Sequence, residues 1–591
     1  MNVYLAFCRA EAKEYALIAS QSDCIVSPVE LDCSIAQVIC YQNSENDDKS
    51  LISSVCEHIR KQEEGMAKFI GGEVKPFANN FFECSILPII RITSSIERAL
   101  KNCNAQEIAE VIFKRKYRHK RGSLKYFLAE HESQGVVLYD RAYSLQPIIE
   151  SWLKNKEVGY KFQTKALLSM GKVKSILRIL GVWSLRLISD LRRVRKHINA
   201  QSRSVDLVVN VRTFSQLEFI LPALIKSKKR VGVLCGRSFS GGALSMGASS
   251  VLINTHHDVI EYAPNSYGQV FSSYFSALPA VFNFKRYLLN LGGFKLDVST
   301  ALKEIRVMAC ELELYRLSLD LALKDVTVQD GCFLSTEQKS PHANIDSIIS
   351  HNKNLKCGHL MQCDQLPNDI PFPVFGDIFI VDTKLRFQQF KTGWSTATEK
   401  LAYVGTIKNE AFSVVDQDIS DNKPPTVCYF ADSDDKSINI AVVERLCVLL
   451  RLQKVKQVII KLHPRDDGGW LKNTDCPSAV MVVNHGELVF EELISRFDVA
   501  ISNPSGVVMD LLCREVPLIL CRLSERYMHD DFPYSDNEFK ATISLIEQVD
   551  ELLRAPVALK DEVVQLKRRI IDENSGELII DLIVKELLVH N

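Results

Sequence analysis

Two short stretches carry residue types suited to holding a phosphate. The first is Lys461-Leu462-His463-Pro464-Arg465. An apolar run ends here, and the proline fixes the backbone so that the histidine beside it projects past the run. A histidine so placed donates to a phosphate or diphosphate oxygen, with Lys461 or Arg465 adding positive charge. The bland alternative is a satisfied histidine at an ordinary strand end. The second stretch is Ser502-Asn503-Pro504-Ser505-Gly506-Val507. Small hydroxyl residues close another apolar run, and a helix starts where Ser502 or Ser505 can cap it. The first N–H groups of that helix and its positive end form an anion site, and Gly506 admits a phosphate close to the backbone. A plain N-cap explains a lone serine pair equally well. The two stretches together, 39–42 residues apart, are more specific than either one.

These residues need strands and helices to place them. Thr426–Phe430, Gln457–Leu462, Ala479–Val483, Val499–Ser502 and Pro517–Cys521 are short apolar runs rich in β-branched residues. Helical patterns alternate with them near Ser437–Leu452, Glu487–Ser495 and Ser505–Cys513. Continuous apolar runs alternating with helices predict a parallel sheet covered on both faces, hence a doubly wound α/β domain over 400–591. A second such lobe is expected over 205–385. It has strands at Val205–Asn210, Arg230–Cys235, Ser249–Asn254 and Asp377–Val381, and a long helix near Ala301–Lys324. A polar connection is expected from 385 to 425. Residues 1–200 form an N-terminal α/β extension or an enlarged first lobe, with strand-like pieces at Val3–Phe7 and Val136–Tyr139.

The paired motifs resemble the nucleotide-binding lobe of GT-B glycosyltransferases. The similar groups are bacterial sialyltransferases and polysialyltransferases, Kdo transferases of capsule and lipopolysaccharide synthesis, and CDP-glycerol glycerophosphotransferases. The resemblance covers about residues 400–530 by motif and the 205–385 lobe by architecture. It implies two Rossmann-like lobes facing a cleft. It also implies His463 on the donor phosphate, and Ser502, Ser505 and the Gly506 N–H cradling that phosphate. A carboxylate between the motifs would hold the ribose diol, as Glu491 or Glu492, with Glu487 behind them; a solvated helix face is the alternative. In these families an acidic motif of the first lobe supplies the general base. Its only match here, Asp466-Asp467-Gly468, follows the histidine in the other lobe and reads as a polar loop. Asp258, Asp330 and Asp140 remain as base candidates, and Arg212, Thr213 and the Gly236–Gly242 loop as acceptor-side candidates.

The resemblance therefore implies transfer of a sialic acid-like or Kdo-like sugar from a CMP donor, a co-substrate, to a cell-surface glycan or glycolipid. No metal and no cofactor are expected. Alternatives are a CDP-polyol phosphotransferase, a nucleotide-sugar epimerase or hydrolase on the same scaffold, and a noncatalytic glycan- or nucleotide-binding subunit of a membrane assembly. Asp432-Ser433-Asp434 has metal-ligand spacing but follows a strand of the donor lobe. Cys357-Gly358-His359 with Cys363 fits no structural zinc pattern.

Composition bounds the rest. The chain has 591 residues, with 72 basic and 72 acidic side chains and a net charge of zero, which argues against a nucleic-acid partner along its length. Hydrophobic residues at 46% and charged residues at 24% exclude disorder as an overall description. Seventeen cysteines, an odd number in irregular spacing, fit reduced thiols and a cytoplasmic location better than a disulfide framework. Two basic runs, 114–121 and 172–197, stand out. The second is interleaved with apolar residues and Trp183, a pattern suited either to an anionic membrane surface or to packing on the body.

Overall fold

The computed structural model describes residues 2–5, 15–21, 23–27, 37–40, 61, 66, 110–113, 160–162 and 171–194. It also describes 203–589 with short breaks, the longest being 362–375, 408–418 and 524–538. Three parallel sheets organise it. The first joins β1 (Asn2–Leu5), β2 (Cys24–Ser27), β3 (Gln37–Cys40), β4 (Glu110–Phe113) and β5 (Tyr160–Phe162) in the order β3-β2-β1-β4-β5. The N-terminal third thus carries a doubly wound sheet of its own. Its strands are only three or four residues long, too short for an alternating pattern to register.

The second sheet is built from β6 (Arg203–Val211), β7 (Val231–Gly236) and β8 (Asp258–Tyr262). After a hairpin of β9 (Leu288–Asn290) and β10 (Lys295–Asp297), the chain adds β11 (Val326–Ser335), β12 (Lys356–Leu360), β13 (Ile378–Val381) and β14 (Leu401–Tyr403). The order is β14-β13-β12-β11-β6-β7-β8, all parallel. The expected strand at Ser249–Asn254 is absent. Ala243–Leu252 is a helix instead, because alanine and serine continue it and Leu252 meets the core while Val251 stays exposed. The strand beside β7 is β8. The lobe also reaches past the expected boundary at 385: β14, Val404 and Ile407 belong to it.

The third sheet comprises β15 (Thr426–Phe430), β16 (Gln457–Lys461), β17 (Val480–Val483), β18 (Val499–Ser502), β19 (Leu518–Cys521) and β20 (Thr542–Ile543). Its order is β17-β16-β15-β18-β19-β20. Every residue of β15, β18 and β19 is buried, as strands covered on both faces must be.

Of the helices, α1 (Gly171–Arg193), α2 (Phe214–Lys226), α3 (Tyr267–Phe275), α4 (Ser299–Ala322), α5 (Pro341–Asn352) and α6 (Lys384–Gly393) accompany the second sheet. Helices α7 (Lys436–Arg451), α8 (Phe490–Ile494), α9 (Gly506–Cys513) and α10 (Pro556–Ile570) accompany the third. The basic helix α1 packs inward. Leu187 joins Val270, Tyr274 and Leu314 in one cluster, and the Trp183 indole N–H donates to Tyr274 O at 2.8 Å. Arg186 pairs with Glu311 and Arg193 with Asp190. Trp183, Leu187 and Leu191 therefore pack on α3 and α4 while Ile188 stays exposed; the side chains of 171–179 lie outside the described residues, as does the run 114–121.

The last helix, α11 (Ile579–Val589), does not stay with the third sheet. Ile579, Ile580, Ile583, Val584 and Leu587 enter the core of the second, beside Leu207, Leu360, Ile378 and Ile380. Gly358 permits this approach, since a Cβ there would stand 3.1 Å from Leu587 Cδ2. In exchange, Leu385 of α6 packs on the core of the third lobe. Ile583→Ala should destabilise the protein by about 2–5 kcal/mol. Leu588→Ala, at an exposed position of the same helix, should stay within roughly 0.5 kcal/mol. Urea unfolding of the two variants checks this, and equal losses would contradict the packing described.

Candidate functional site

In both lobes the first strand lies inside the sheet, and the chain then builds outward in both directions. The crevice between the loops that leave in opposite directions is where open α/β sheets bind ligands, at the carboxyl ends of the strands. In the third sheet it falls between β15 and β18, and in the second between β6 and β11.

Register brings the two sequence motifs to one rim. Phe430, the last residue of β15, pairs with Lys461 on one side and Ser502 on the other. His463 follows β16 by two residues and is half-buried. Ser505 is the N-cap of α9, with extended backbone angles (φ −148°, ψ 172°) and no side-chain capping bond. A Cβ on Gly506 would meet nothing within 4 Å, so space is open beside the first turn of α9. The Ser502 hydroxyl is buried and donates to Asn503 O at 2.8 Å, leaving it to act towards a ligand as an acceptor or after rotation. Lys461 Nζ donates to Asn484 O at 2.6 Å, and burial lowers its pKa. Pro464 and Arg465 lie outside the described residues.

The carboxylates between the motifs are engaged. Glu491 Oε1 accepts from Arg514 at 2.7 Å. That arginine is 2% exposed and lies over the Phe490 ring, so Glu491 neutralises a buried cation. Glu492 pairs with Arg496 one turn on, and Glu487 accepts from the Asn484 N–H at 2.8 Å. The ribose assignment of Glu491 and Glu492 thus competes with structural partners. Asp466 accepts from Gly468 N and the Trp470 indole, as a polar loop residue does. Asp432–Asp434 lie outside the described residues.

The base candidates differ from expectation. Asp258 opens β8 and is ion-paired with Arg230 at 2.9 Å. Asp330 sits in a bulge of β11, between the register at Val328 and that at Cys332, and pairs with Lys229 at 2.8 Å. Arg230 and Lys229 both precede β7, so these two acids belong to the amino-terminal end of the sheet, opposite the crevice. Both are structural ion pairs there. Asp140 and the loop after Gly236 lie outside the described residues.

The second crevice holds the acceptor-side candidates Arg212 and Thr213 beside polar groups that the sequence left unread. Asn210 and Ser335 pair in register at the ends of β6 and β11. Just beyond them Arg212 meets Glu337 at 3.0 Å. Thr213 is the N-cap of α2, in a capping box with Gln216, so its hydroxyl is committed to the helix. Below lies Asp346 of α5, wholly buried, accepting from Ser335 Oγ at 2.5 Å, Asn210 Nδ2 at 3.0 Å and the Tyr315 hydroxyl. Burial pushes its pKa up to about 6, against the lowering effect of those three donors. The Arg212 guanidinium sits 5.7 Å from the centre of the Tyr315 ring. His359 is buried too, bonded to Ser347 Oγ and Glu337 O at 2.8 Å each, with its pKa pushed down to about 4 by burial. It is a satisfied core histidine. The one available signal was the apolar run Cys332-Phe333-Leu334 after the long helix, which marks β11 and puts Glu337 at its end. Among the described residues no group of three or more His, Cys, Asp and Glu could hold a metal ion, and no helix is long and apolar enough to cross a membrane.

Two doubly wound Rossmann-like lobes with polar residues gathered at their crevices make this a GT-B-like chain. No family model and no curated protein matches the sequence. Among solved structures it is similar to the UDP-GlcNAc 2-epimerase of Neisseria meningitidis bound to UDP-GlcNAc (12% identity, 65% of this chain and 99% of that one, TM-score 0.38). It is also similar to the UDP-GlcNAc 2-epimerase of Methanocaldococcus jannaschii (14%, 65% and 99%, TM-score 0.37). A third is the wall teichoic acid polymerase TagF soaked with CDPG (11%, 71% and 99%, TM-score 0.37).

The buried carboxyl has a measurable signature. Its folded pKa, about 6, exceeds the unfolded value of 3.8, so the folded state holds an extra proton between them. That contribution to stability is present below about pH 4 and lost as the pH rises through about 6, an amount of roughly 3 kcal/mol. Asp346→Asn removes the titration. The stability difference between wild type and variant should therefore change by that amount between pH 4 and 7, and a pH-independent difference would contradict the assignment.

Proposed function

We propose that this chain is a glycosyltransferase that moves an acidic sugar, sialic acid-like or Kdo-like, from a CMP donor to a cell-surface glycan or glycolipid acceptor. The observation that carries the reading is the rim of the third sheet. The register at Phe430 puts Lys461, two residues before His463, on one side of β15 and Ser502 on the other, with open space next to the start of α9.

The donor phosphate sits at that helix start, with backbone N–H groups, the Ser505 hydroxyl and the helix dipole opposing its charge. The acceptor hydroxyl loses its proton to a carboxylate of the second lobe and attacks the anomeric carbon. The bond from that carbon to the phosphate oxygen breaks, and the electron pair leaves with CMP. His463 donates to the phosphate as negative charge grows, the kind of electrostatic stabilisation that often dominates catalysis. With that charge met by a histidine and a helix end, the reaction proceeds without a metal. A reduced, cytoplasmic protein working at the inner membrane face fits the odd number and irregular spacing of the seventeen cysteines.

Two measurements test the reading. Thermal shift with CMP, CDP, UDP and GDP should show CMP as the strongest stabiliser. Preference for CDP would move the assignment to a CDP-polyol phosphotransferase, for UDP to a nucleotide-sugar epimerase. No shift at all would leave a noncatalytic subunit. His463→Ala should lower turnover by about 100-fold, and near wild-type turnover would remove the histidine from the chemistry.

A further inference from the structure

We propose that Glu337 is the general base that takes the acceptor hydroxyl's proton, with Arg212 and the Asp346–Tyr315–Asn210 cluster as its positioning residues. The inference rests on the glycosyl-transfer reading and supplies the group that reading leaves unassigned. It begins with place. Glu337 follows the end of β11, and Arg212 follows the end of β6; these are the two strands that flank the crevice of the second sheet. A ligand entering that crevice meets these two side chains.

The backbone of Glu337 is pinned on both sides by buried groups. Its N–H donates to Ser335 Oγ at 3.1 Å, and its carbonyl accepts from His359 Nδ1 at 2.8 Å. Ser335 and His359 are both 0% exposed. Residues just past a strand are ordinarily loose, and two fixed polar contacts to the core hold this one in register, as a reacting group requires. The side chain is held as well: Oε1 accepts from Arg212 at 3.0 Å and from Gln216 Nε2 at 3.2 Å. Arg212 rests over Tyr315, whose hydroxyl donates to Asp346. A chain of contacts thus runs from the buried carboxyl to the rim.

Accessibility separates the two acids. Asp346 is sealed in the core, whereas the Glu337 side chain keeps 14% of its surface open. The proton balance is simple. Glu337 receives the hydroxyl proton as the new C–O bond forms, and releases it to water after CMP departs.

Glu337→Gln keeps the size and hydrogen-bonding capacity of the side chain while removing its basicity. The assay uses CMP-N-acetylneuraminic acid as donor, with a lactose-terminated oligosaccharide or water as acceptor, and reads CMP release. The variant should lose about 10²–10⁴-fold in kcat while keeping its donor KM and its CMP thermal shift. Glu337→Asp should recover part of the rate. Asp346→Asn should lower kcat less, with donor KM unchanged. A CMP shift with near wild-type turnover in Glu337→Gln would overturn the base and leave the donor reading standing. A wild-type protein with neither CMP shift nor CMP release would overturn the donor reading, and the base with it.

Discussion

Each large sheet is started from its middle. A parallel strand cannot be joined to its neighbour by a tight turn, so every addition costs a crossover, and the chain must choose a side of the sheet each time. In the second sheet it chooses β7 and β8 first, then crosses by α4 to β11. In the third it chooses β16 and β17 first, then crosses to β18. That reversal opens a gap beside the founding strand, and all strands point their carboxyl ends the same way. The polar residues gathered there are a consequence of winding order. Ser502 stands beside Phe430 because β18 was the first strand laid on the other side, and Ser335 stands beside Asn210 for the same reason.

The two crevices are built on different physics. At the third sheet the groups are backbone N–H donors, small hydroxyls and a half-buried histidine, an arrangement that can meet a full negative charge with little rearrangement. At the second sheet the polar groups extend several layers inward, to a carboxyl with three donors and no solvent. The three donors offset the cost of burying that carboxyl and fix its geometry, while Asn210 Oδ1 in the same cluster has no partner among the described residues. Rigid support below and an accessible carboxylate above suit a site where a proton must be collected from a defined direction. An anion, with charge spread over several oxygens, makes no such demand.

The rim of the third sheet was legible in the sequence because its strands are continuous β-branched runs and its motifs contain a proline, a glycine and serines, each with a distinct backbone role. The polar cluster of the second lobe was read only as far as Arg212 and Thr213. Lys356-Cys357-Gly358-His359-Leu360, which fits no structural zinc pattern, is β12, with the histidine turned into the core and the glycine making room for Leu587. Asp258 and Asp330 were candidates as acids of the second lobe, but sequence gives no sign that both fall at the amino-terminal end of its sheet. Ser249–Asn254 failed for a related reason: a run of six residues is too short for period 2 and period 3.6 to separate. Of the first sheet only β1 was read, as the strand-like piece Val3–Phe7, because its strands are three or four residues long.

Helix α11 gives the chain a timing problem. The ribosome makes every strand of the second sheet by Tyr403, yet the segment that seals one face of that sheet begins only at Ile579. At roughly 5–20 residues per second, the uncovered face waits for on the order of ten seconds or more. During that interval Leu207, Leu360 and Ile378 lack the partner that closes their core. A chain cut short before Ile579 would keep that strip exposed, open to chaperones and proteases. Completion of the fold therefore reports completion of synthesis through α11, and no truncated product can present a finished second lobe.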